Sequence, residues 1–208
     1  MAKHPFSHQP PYFFGMTDMD MYMQMGYYPY PGQTSGEHPD ANTAIPLPTA
    51  MAMQCKYYLG QTEPFTAGGG NPAWAALVNP LRSEVHLFVN EFVITNRSAS
   101  HSAEAQLWFG KAASLGDATV SQLVTPGFVQ LSPCPQPQGQ IAYHSAPLRI
   151  SGTASATRII SPSSSAAAEK AGHWILGPGT ALVFFFSGER AAVDLVVSFG
   201  WWEQPIYR

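Results

Sequence analysis

Residues 85–95 read VHLFVNEFVIT, and apolar side chains recur there at every second position. A period of two places successive side chains on opposite faces of a β-strand, so this stretch predicts a half-buried strand. Its apolar set is Val85, Leu87, Val89, Phe92 and Ile94. The set changes phase between its third and fourth members, which predicts a β-bulge near Asn90–Glu91.

The same alternation continues toward the C-terminus. AEAQLWF places Ala103, Ala105, Leu107 and Phe109 on one face. Later short runs are rich in β-branched and aromatic residues and are separated by Gly, Pro, Asn and Ser, as strands are. The further predicted strands are Thr119–Val124, Phe128–Leu131, Gln140–His144, Leu148–Ser151, Ala154–Ile160, His173–Leu176, Thr180–Ser187 and Ala191–Trp202.

These runs amount to about ten short strands, and no stretch has the pattern of a βαβ crossover. The one helix-like segment, SSSAAAEKAG at 163–172, is too short to form a stable helix alone. We therefore predict an all-β fold, a single antiparallel β-sandwich with an extended N-terminal arm. Both jelly-roll and immunoglobulin-like connectivity are compatible with this pattern.

On the N-terminal side, MAMQCKYYL at 51–59 also alternates and predicts a strand. Its first face would carry Met51, Met53, Cys55, Tyr57 and Leu59. Cys55 and Cys134 have no CxxC spacing and no neighbouring histidine, which disfavours a zinc site. They are either two buried thiols, the common state of free cysteine, or a disulfide within or between subunits.

Two nearly unbroken apolar runs, ALVFFF and DLVVSFGWW, lie close to the C-terminus. Such runs are typical of central strands covered on both faces, or of strands whose outer face meets a neighbouring subunit. Adjacent residues of a strand point to opposite faces. Of Trp201 and Trp202, one is therefore expected in the core and the other at a surface or interface.

Residues 1–49 have a different composition from residues 50–208. All eight methionines precede residue 54, and Pro, Tyr, Gly and Gln are abundant, whereas the first valine is Val78. Turn-forming residues recur throughout the segment. We interpret residues 1–49 as an extended arm and residues 50–208 as the sandwich domain.

The arm contains MTDMDMYMQMG, in which methionine recurs at every second position. As a strand it would present Met19, Met21, Met23 and Met25 on one face and Asp20, Tyr22 and Gln24 on the other. The favoured hypothesis is strand addition to another copy, with these methionines and Tyr22 as the assembly residues. Alternatives are pairing with its own domain, disorder, or a Cu(I) site that adds His4, His8, Asp18 and Asp20 to the thioethers.

Composition and charge exclude several classes of function. Only 11% of the 208 residues are charged and the net charge is −3, so we expect no nucleic-acid partner. No apolar run approaches the roughly 20 residues of a membrane-spanning helix. MAKHPFSHQPPYFF lacks the apolar core of a signal peptide.

No catalytic, metal or cofactor motif is present: GGGNPAW lacks the rest of a phosphate loop, and there is no GxSxG, HxH or HExxH. We expect no enzyme activity, no cofactor and no metal. The five tryptophans allow a second hypothesis, a sandwich that binds glycan or a partner protein through exposed rings. The sequon Asn96-Arg97-Ser98 is interpreted as a chance match.

TAGGGNPAWAALVNP, LVTPGF, ILGPGTALVFF and the terminal FGWWE resemble an uncharacterised family of small proteins from spore-forming bacilli. The resemblance covers roughly residues 56–203. It implies a spore or cell-surface setting and no catalytic residue. The Tyr-, Met- and Pro-rich arm is similar in character to spore-coat proteins, which reach the exterior without a signal peptide when the mother cell lyses.

These observations predict a structural protein whose arm links copies into a filament or surface layer outside the cell. Its main partner would be itself, with glycan or other surface proteins as alternatives. A contact between the arm of one copy and a groove of the next repeats without closing, so filaments follow naturally.

Overall fold

A computed structural model of the chain describes residues 45–115, 118–130, 132–148 and 152–206. The chain divides into two units, Met1–Ala50 and Met51–Arg208. Within the described residues, every strand belongs to the second unit. No helix of this part of the chain is long and apolar enough to cross a membrane.

One α-helix, α1 (Leu47–Met53), and twelve strands form in the described residues. A short 3-10 helix, Ala112–Leu115, follows the fifth strand. The strands are β1 (Tyr57–Gln61), β2 (Phe65–Ala67), β3 (Ala73–Val78), β4 (Val85–Asn96), β5 (Ala103–Lys111), β6 (Thr119–Val120), β7 (Val124–Pro126), β8 (Gln140–His144), β9 (Gly152–Ile160), β10 (Ser164–Leu176), β11 (Thr180–Phe186) and β12 (Val193–Pro205).

The strands form two antiparallel sheets. The front sheet has the order β10-β4-β12-β1-β7, with β2 also paired to β12, and the back sheet has the order β6-β8-β3-β11-β5-β9. The predicted all-β sandwich is confirmed. Its eight main strands are ordered β1-β12-β4-β10 over β3-β11-β5-β9, the double Greek key of a jelly roll rather than the ABED and CFG sheets of an immunoglobulin domain.

The core lies between the two sheets and is dominated by aromatic side chains. Phe92 of the front sheet contacts Phe184 of the back sheet, with ring centroids 4.8 Å apart, and Phe184 stacks on Phe199. Trp201 and Tyr58 fill one end of the same cluster. The inward faces predicted for β4 and β5 are confirmed, because Val85–Ile94 and Ala103–Leu107 contribute alternate side chains to this core.

A smaller apolar cluster covers the outer face of the back sheet. Trp74, Ala76 and Val183 are buried there, beneath Leu115 of the 3-10 helix and Leu148. The central strand β11 is therefore covered on both faces within one chain, as its unbroken apolar run predicts.

The bulge predicted near Asn90–Glu91 is confirmed. Glu91 pairs with Gly200 and Val89 with Trp201, so Asn90 is an extra residue opposite β12. On the other side of β4, Val89 pairs with Trp174 and Glu91 with Glu169, which leaves residues 170–173 looped out of β10. Both neighbours of β4 thus change register at the same residue.

The predicted strand over residues 51–59 is wrong in its first half. Alanine and methionine both favour helix, and α1 continues to Met53. A Schellman motif ends the helix, since Lys56 N–H donates to Met51 O and Cys55 N–H to Ala52 O. Cys55 holds the left-handed conformation that this motif requires, with φ of 58°.

Three other local predictions are corrected. The helix-like 163–172 is the first part of the edge strand β10, because pairing with β4 overrides the helix preference of its alanines. Phe128–Gln130 of the predicted strand Phe128–Leu131 form a loop after Pro126 ends β7. The central strand β3 was missed, since its AWAALV is buried on both faces and has no alternation to detect.

Candidate assembly surfaces

The predicted assembly residues of the arm, Met19, Met21, Met23, Met25 and Tyr22, lie outside the described residues. The sandwich that would receive them is described, and its edge strands are the places where a strand can be added. The edges are β10 and β7 in the front sheet and β9 and β6 in the back sheet.

The β6 and β7 side of the sandwich offers little edge for strand addition. β6 has two residues and β7 has three, the last of which is Pro126. Short strands and proline are devices that protect a sheet edge, because proline has no backbone N–H to donate.

The opposite side carries two long edges. β9 has nine residues and β10 has thirteen, and they are joined by the turn 161–163. In the described part of the chain, each pairs with a strand on one side only, β9 with β5 and β10 with β4. Four looped-out residues interrupt β10. β9, GTASATRII, has no proline and one charged side chain, Arg158, and its only irregularity is one extra residue, Ser155, opposite β5. β9 is therefore the less interrupted of the two long edges in the described part of the sandwich.

Small side chains close the core on this side. Ala156 of β9 and Ala166 and Ala168 of β10 pack partly buried against the main cluster. Trp174 completes the wall, edge-on to Phe109 and stacked on Phe92. Lys170 lies over the Trp174 ring, with Nζ 4.4 Å from the ring centroid. The rim of this side thus combines alanine methyls with two cations, Arg158 and Lys170.

Trp201 and Trp202 point to opposite faces of the sheet, and both side chains are buried within this chain. Trp201 is 0% exposed in the core, and Trp202 is 2% exposed on the outer face, stacked on Phe88 at 5.4 Å. The looped-out part of β10 makes this possible, because a Cβ on Gly172 would overlap the Trp202 indole. Trp201 is thus the core member of the pair, as predicted, and Trp202 covers the outer face of the sheet but is buried there within the chain.

A buried carboxylate fastens the loop between β7 and β8. Glu203 accepts hydrogen bonds from Gly139 N–H (2.8 Å), Gln138 N–H (3.1 Å) and Trp201 Nε1–H (3.2 Å). Burial, reinforced by the nearby Glu203 charge, raises the pKa of Tyr58 to about 12. Glu203 therefore has a structural role, because its three donors belong to the fold itself.

Cys55 and Cys134 form a disulfide, with their Cα atoms 5.3 Å apart. Of the two arrangements compatible with the sequence, the structure has the bridge. It ties the end of α1 to the same loop that Glu203 holds. A stable disulfide is typical of proteins in an oxidising compartment.

The outer face of the front sheet carries a polar triad and a groove. Tyr57 OH donates to Glu91 Oε1 (2.9 Å) and accepts from Asn90 Nδ2 (3.0 Å). Burial, with the Glu91 carboxylate adjacent, raises the pKa of Tyr57 well above its usual value. Tyr57 and Glu91 lie over Gly200, where a Cβ would be 2.5 Å from the Tyr57 hydroxyl oxygen.

The groove next to this triad has a volume of about 400 Å³. Its walls include Leu59, Val93 and Leu123, and its polar lining includes Gln61 and Glu91. Sequence analysis missed both groove and triad, because they join residues from β1, β4 and β12. The isolated glycine in SFGWW, Gly200, was the available indication, since glycine within a strand often marks a bulge or a close approach.

The remaining sequence candidates do not converge on a reactive centre. No group of three or more His, Cys, Asp or Glu that could hold a metal occurs in the described residues. The sequon residue Asn96 is 0% exposed and donates its amide to His101 O at 2.7 Å, so its nitrogen is not free for glycosylation. Sugar stacking needs an exposed ring, which Trp74, Trp201 and Trp202 do not offer.

Comparison with known proteins gives one family match. The model of a family described as "Family of unknown function (DUF6143)" matches residues 39–208. No curated protein and no solved structure matches the chain. The matched range includes all of the sandwich and begins after the alternating methionines Met19–Met25, which we call the methionine ribbon.

Proposed function

The chain belongs to the DUF6143 family, whose function is unknown, and from its geometry we propose that it is a self-assembling structural subunit. The arm of one copy adds as a strand to the β9 edge of a neighbouring copy. The observation that carries this proposal is the edge itself, nine residues long, without proline, with a single charge and with one extra residue at Ser155.

Side-chain size supports the pairing of ribbon and edge. The acceptor side is closed by the methyl groups of Ala156, Ala166 and Ala168. Four methionines on one face of an added strand supply long, flexible thioethers that fit an irregular surface of small residues. Burial of each methionine from water contributes roughly 1.5–3 kcal/mol at most.

Charge supports the same pairing. MTDMDMYMQMG carries Asp18 and Asp20 and no cation, whereas Arg158 and Lys170 lie on the acceptor rim. Opposite charges steer an encounter. They do not fix its register here, because Asp18 and Asp20 alternate with the methionines and would point to the outer face, whereas Arg158 is on the inner face of β9. The low overall charge of the chain also favours association, because little long-range repulsion opposes it.

The disulfide supports an extracellular, cell-surface or spore-surface location, where the bond persists without reduction. A head-to-tail contact through the arm propagates as a filament or layer unless the rotation between copies closes a ring. In this role the protein needs no cofactor.

Matched variants of the full-length protein test the proposal. Met23→Lys places a charge on the methionine face, and Gln24→Lys places the same charge on the opposite face. On the acceptor, Ala156→Arg places the charge on the inner face of β9. Because of the extra residue Ser155, Ala154 lies on the outer face of the same strand, and Ala154→Arg places the charge there.

Electron microscopy of negatively stained samples should show filaments for wild type, Gln24→Lys and Ala154→Arg. Met23→Lys and Ala156→Arg should give only dispersed particles, with unchanged circular dichroism as the control for folding. Filaments of normal length from both of these variants, or none from the wild type, would overturn the proposal. Glycan binding would then be the next hypothesis to test.

A further inference from the structure

The side of the sandwich opposite the proposed acceptor edge carries exposed apolar side chains. Val129 is 92% exposed, and three others are exposed by 39–46%: Leu59, Leu123 and Phe128. Together they expose the equivalent of about two whole side chains, on the order of 400 Å². A patch of this size matches the largest apolar patch of a typical monomer, which is often functional.

The patch contains a recess, the groove beside Leu123, and a projection, the exposed pair Phe128–Val129. They lie at opposite ends of the segment 123–129. Leu123 O accepts from Gln61 N–H at the end of β1, and Gly127 N–H donates to Tyr57 O at its beginning. The segment 123–129 therefore runs antiparallel along β1. It carries the groove wall Leu123 at one end and the exposed pair Phe128–Val129 at the other, up to roughly 20 Å away.

This arrangement is complementary to itself. A two-fold axis near Thr125, perpendicular to the segment, reverses its direction in the second copy. Phe128–Val129 of each copy then faces the groove of the other copy, lined by Leu59, Val93 and Leu123. A two-fold interface requires that residue i contact j while j contacts i, which a projection and a recess on one edge provide.

We propose that two copies of this chain form a two-fold dimer through this surface, which we call the β7 face, with Val129 inserted into the groove of the partner. The two copies together contribute on the order of 800 Å² of apolar surface. A specific interface buries at least about 1,000 Å² in total, and polar side chains around the apolar surface would supply the difference. The disulfide anchors Cys134, five residues after Val129, and Gly127 N–H, two residues before Val129, donates to Tyr57 O, which limits the order lost on association.

The dimer does not depend on strand addition by the arm, because the β7 face and the β9 edge lie on opposite sides of the sandwich. Full-length Met23→Lys serves as the background for the test, so that filaments do not obscure dimers. Light scattering coupled to size-exclusion chromatography measures the mass. If arm addition fails as a function, the same measurement is made on the wild-type chain.

A charge exchange tests the contact itself. Val129→Lys and Leu123→Glu should each weaken dimerisation at least tenfold. An equimolar mixture of the two should restore a heterodimer, since the introduced ammonium of one variant then meets the introduced carboxylate of the other while the second contact stays native. Leu81→Glu is the matched control: Leu81 is 80% exposed but lies between β3 and β4, and its substitution should leave the dimer unchanged.

Three outcomes overturn the dimer. In the first, the background protein is monomeric at about 100 μM, so that association is weaker than about 5.5 kcal/mol. In the second, Leu81→Glu weakens dimerisation as much as Val129→Lys and Leu123→Glu do, and in the third, the equimolar mixture stays monomeric. The last outcome, with both single variants monomeric, would indicate that another segment such as the arm occupies the groove. Thermal midpoints close to that of the background protein serve as the folding control for all three variants.

Discussion

Two glycines determine how closely side chains approach the outer face of the front sheet. Gly200 leaves the space that the Tyr57 hydroxyl and Glu91 occupy, and Gly172 leaves the space for the Trp202 ring. Gly172 also has a positive φ of 75°, a conformation that other residues adopt at a cost. The burial of Trp202 therefore depends on a residue thirty positions earlier in the chain.

Gly172→Ala should destabilise the fold more than an equivalent change in a loop. Gly70 has a φ of 91° with open space around its would-be Cβ, so Gly70→Ala should cost only about 1–2 kcal/mol of backbone strain. Gly172→Ala adds overlap with Trp202 and should cost about 1–3 kcal/mol more. Urea unfolding measures both, and equal losses would contradict the proposed packing.

Tyr58 should make the fold sensitive to alkali. Its hydroxyl donates to Cys55 O at 3.0 Å, and burial raises its pKa from 10.0 to about 12. Above pH 10 the unfolded chain loses this proton first, so the free energy of unfolding should fall as the pH rises toward 12. Tyr58→Phe should show a shallower fall in urea titrations over this range, and parallel curves would argue against the raised pKa.

At the scale of elements, the connections around β1 join distant parts of the chain. The Schellman motif turns α1 into β1, β1 pairs with the C-terminal strand β12, and the disulfide ties the turn to the β7–β8 loop. That loop also carries Phe128–Val129. The disulfide therefore restrains both the entry to the sandwich and the projection of the β7 face.

Replacing both cysteines, Cys55→Ala with Cys134→Ala, should lower the free energy of unfolding. The bridged residues are 79 positions apart, and restricting a loop of this length in the unfolded chain is worth about 4 kcal/mol. Urea unfolding of the double variant beside the oxidised wild type measures the loss. Wild type in reducing buffer should match the double variant, and a difference below about 1 kcal/mol would show that the bridge contributes little.

At the scale of the whole molecule, the two sides of the sandwich differ in kind. One side ends in the long edges β9 and β10 with alanines and cations at the rim, and the other ends in short strands with apolar side chains exposed. Backbone pairing suits the first side and side-chain packing the second. A subunit that uses both could join dimers into a thicker filament or a layer.

The sequence predicts the donor strand of the candidate assembly site but does not predict its acceptor edge. The alternating methionines predict a donor strand, a hypothesis that rests on residues outside the described ranges. The acceptor edge could not be predicted, because edge position depends on strand order. Trp202 is buried rather than exposed because Gly172 of another strand admits it.

The sequence by itself determined the all-β class and most strand positions, including Gln140–His144 and the bulge at Asn90, because period-two burial is a local property that side-chain order records. Only the tertiary structure decided the jelly-roll order, the disulfide and the strand at Ser164–Leu176. Each of these depends on contacts between residues far apart in the chain or on pairing that overrides local preference, which no window of sequence contains.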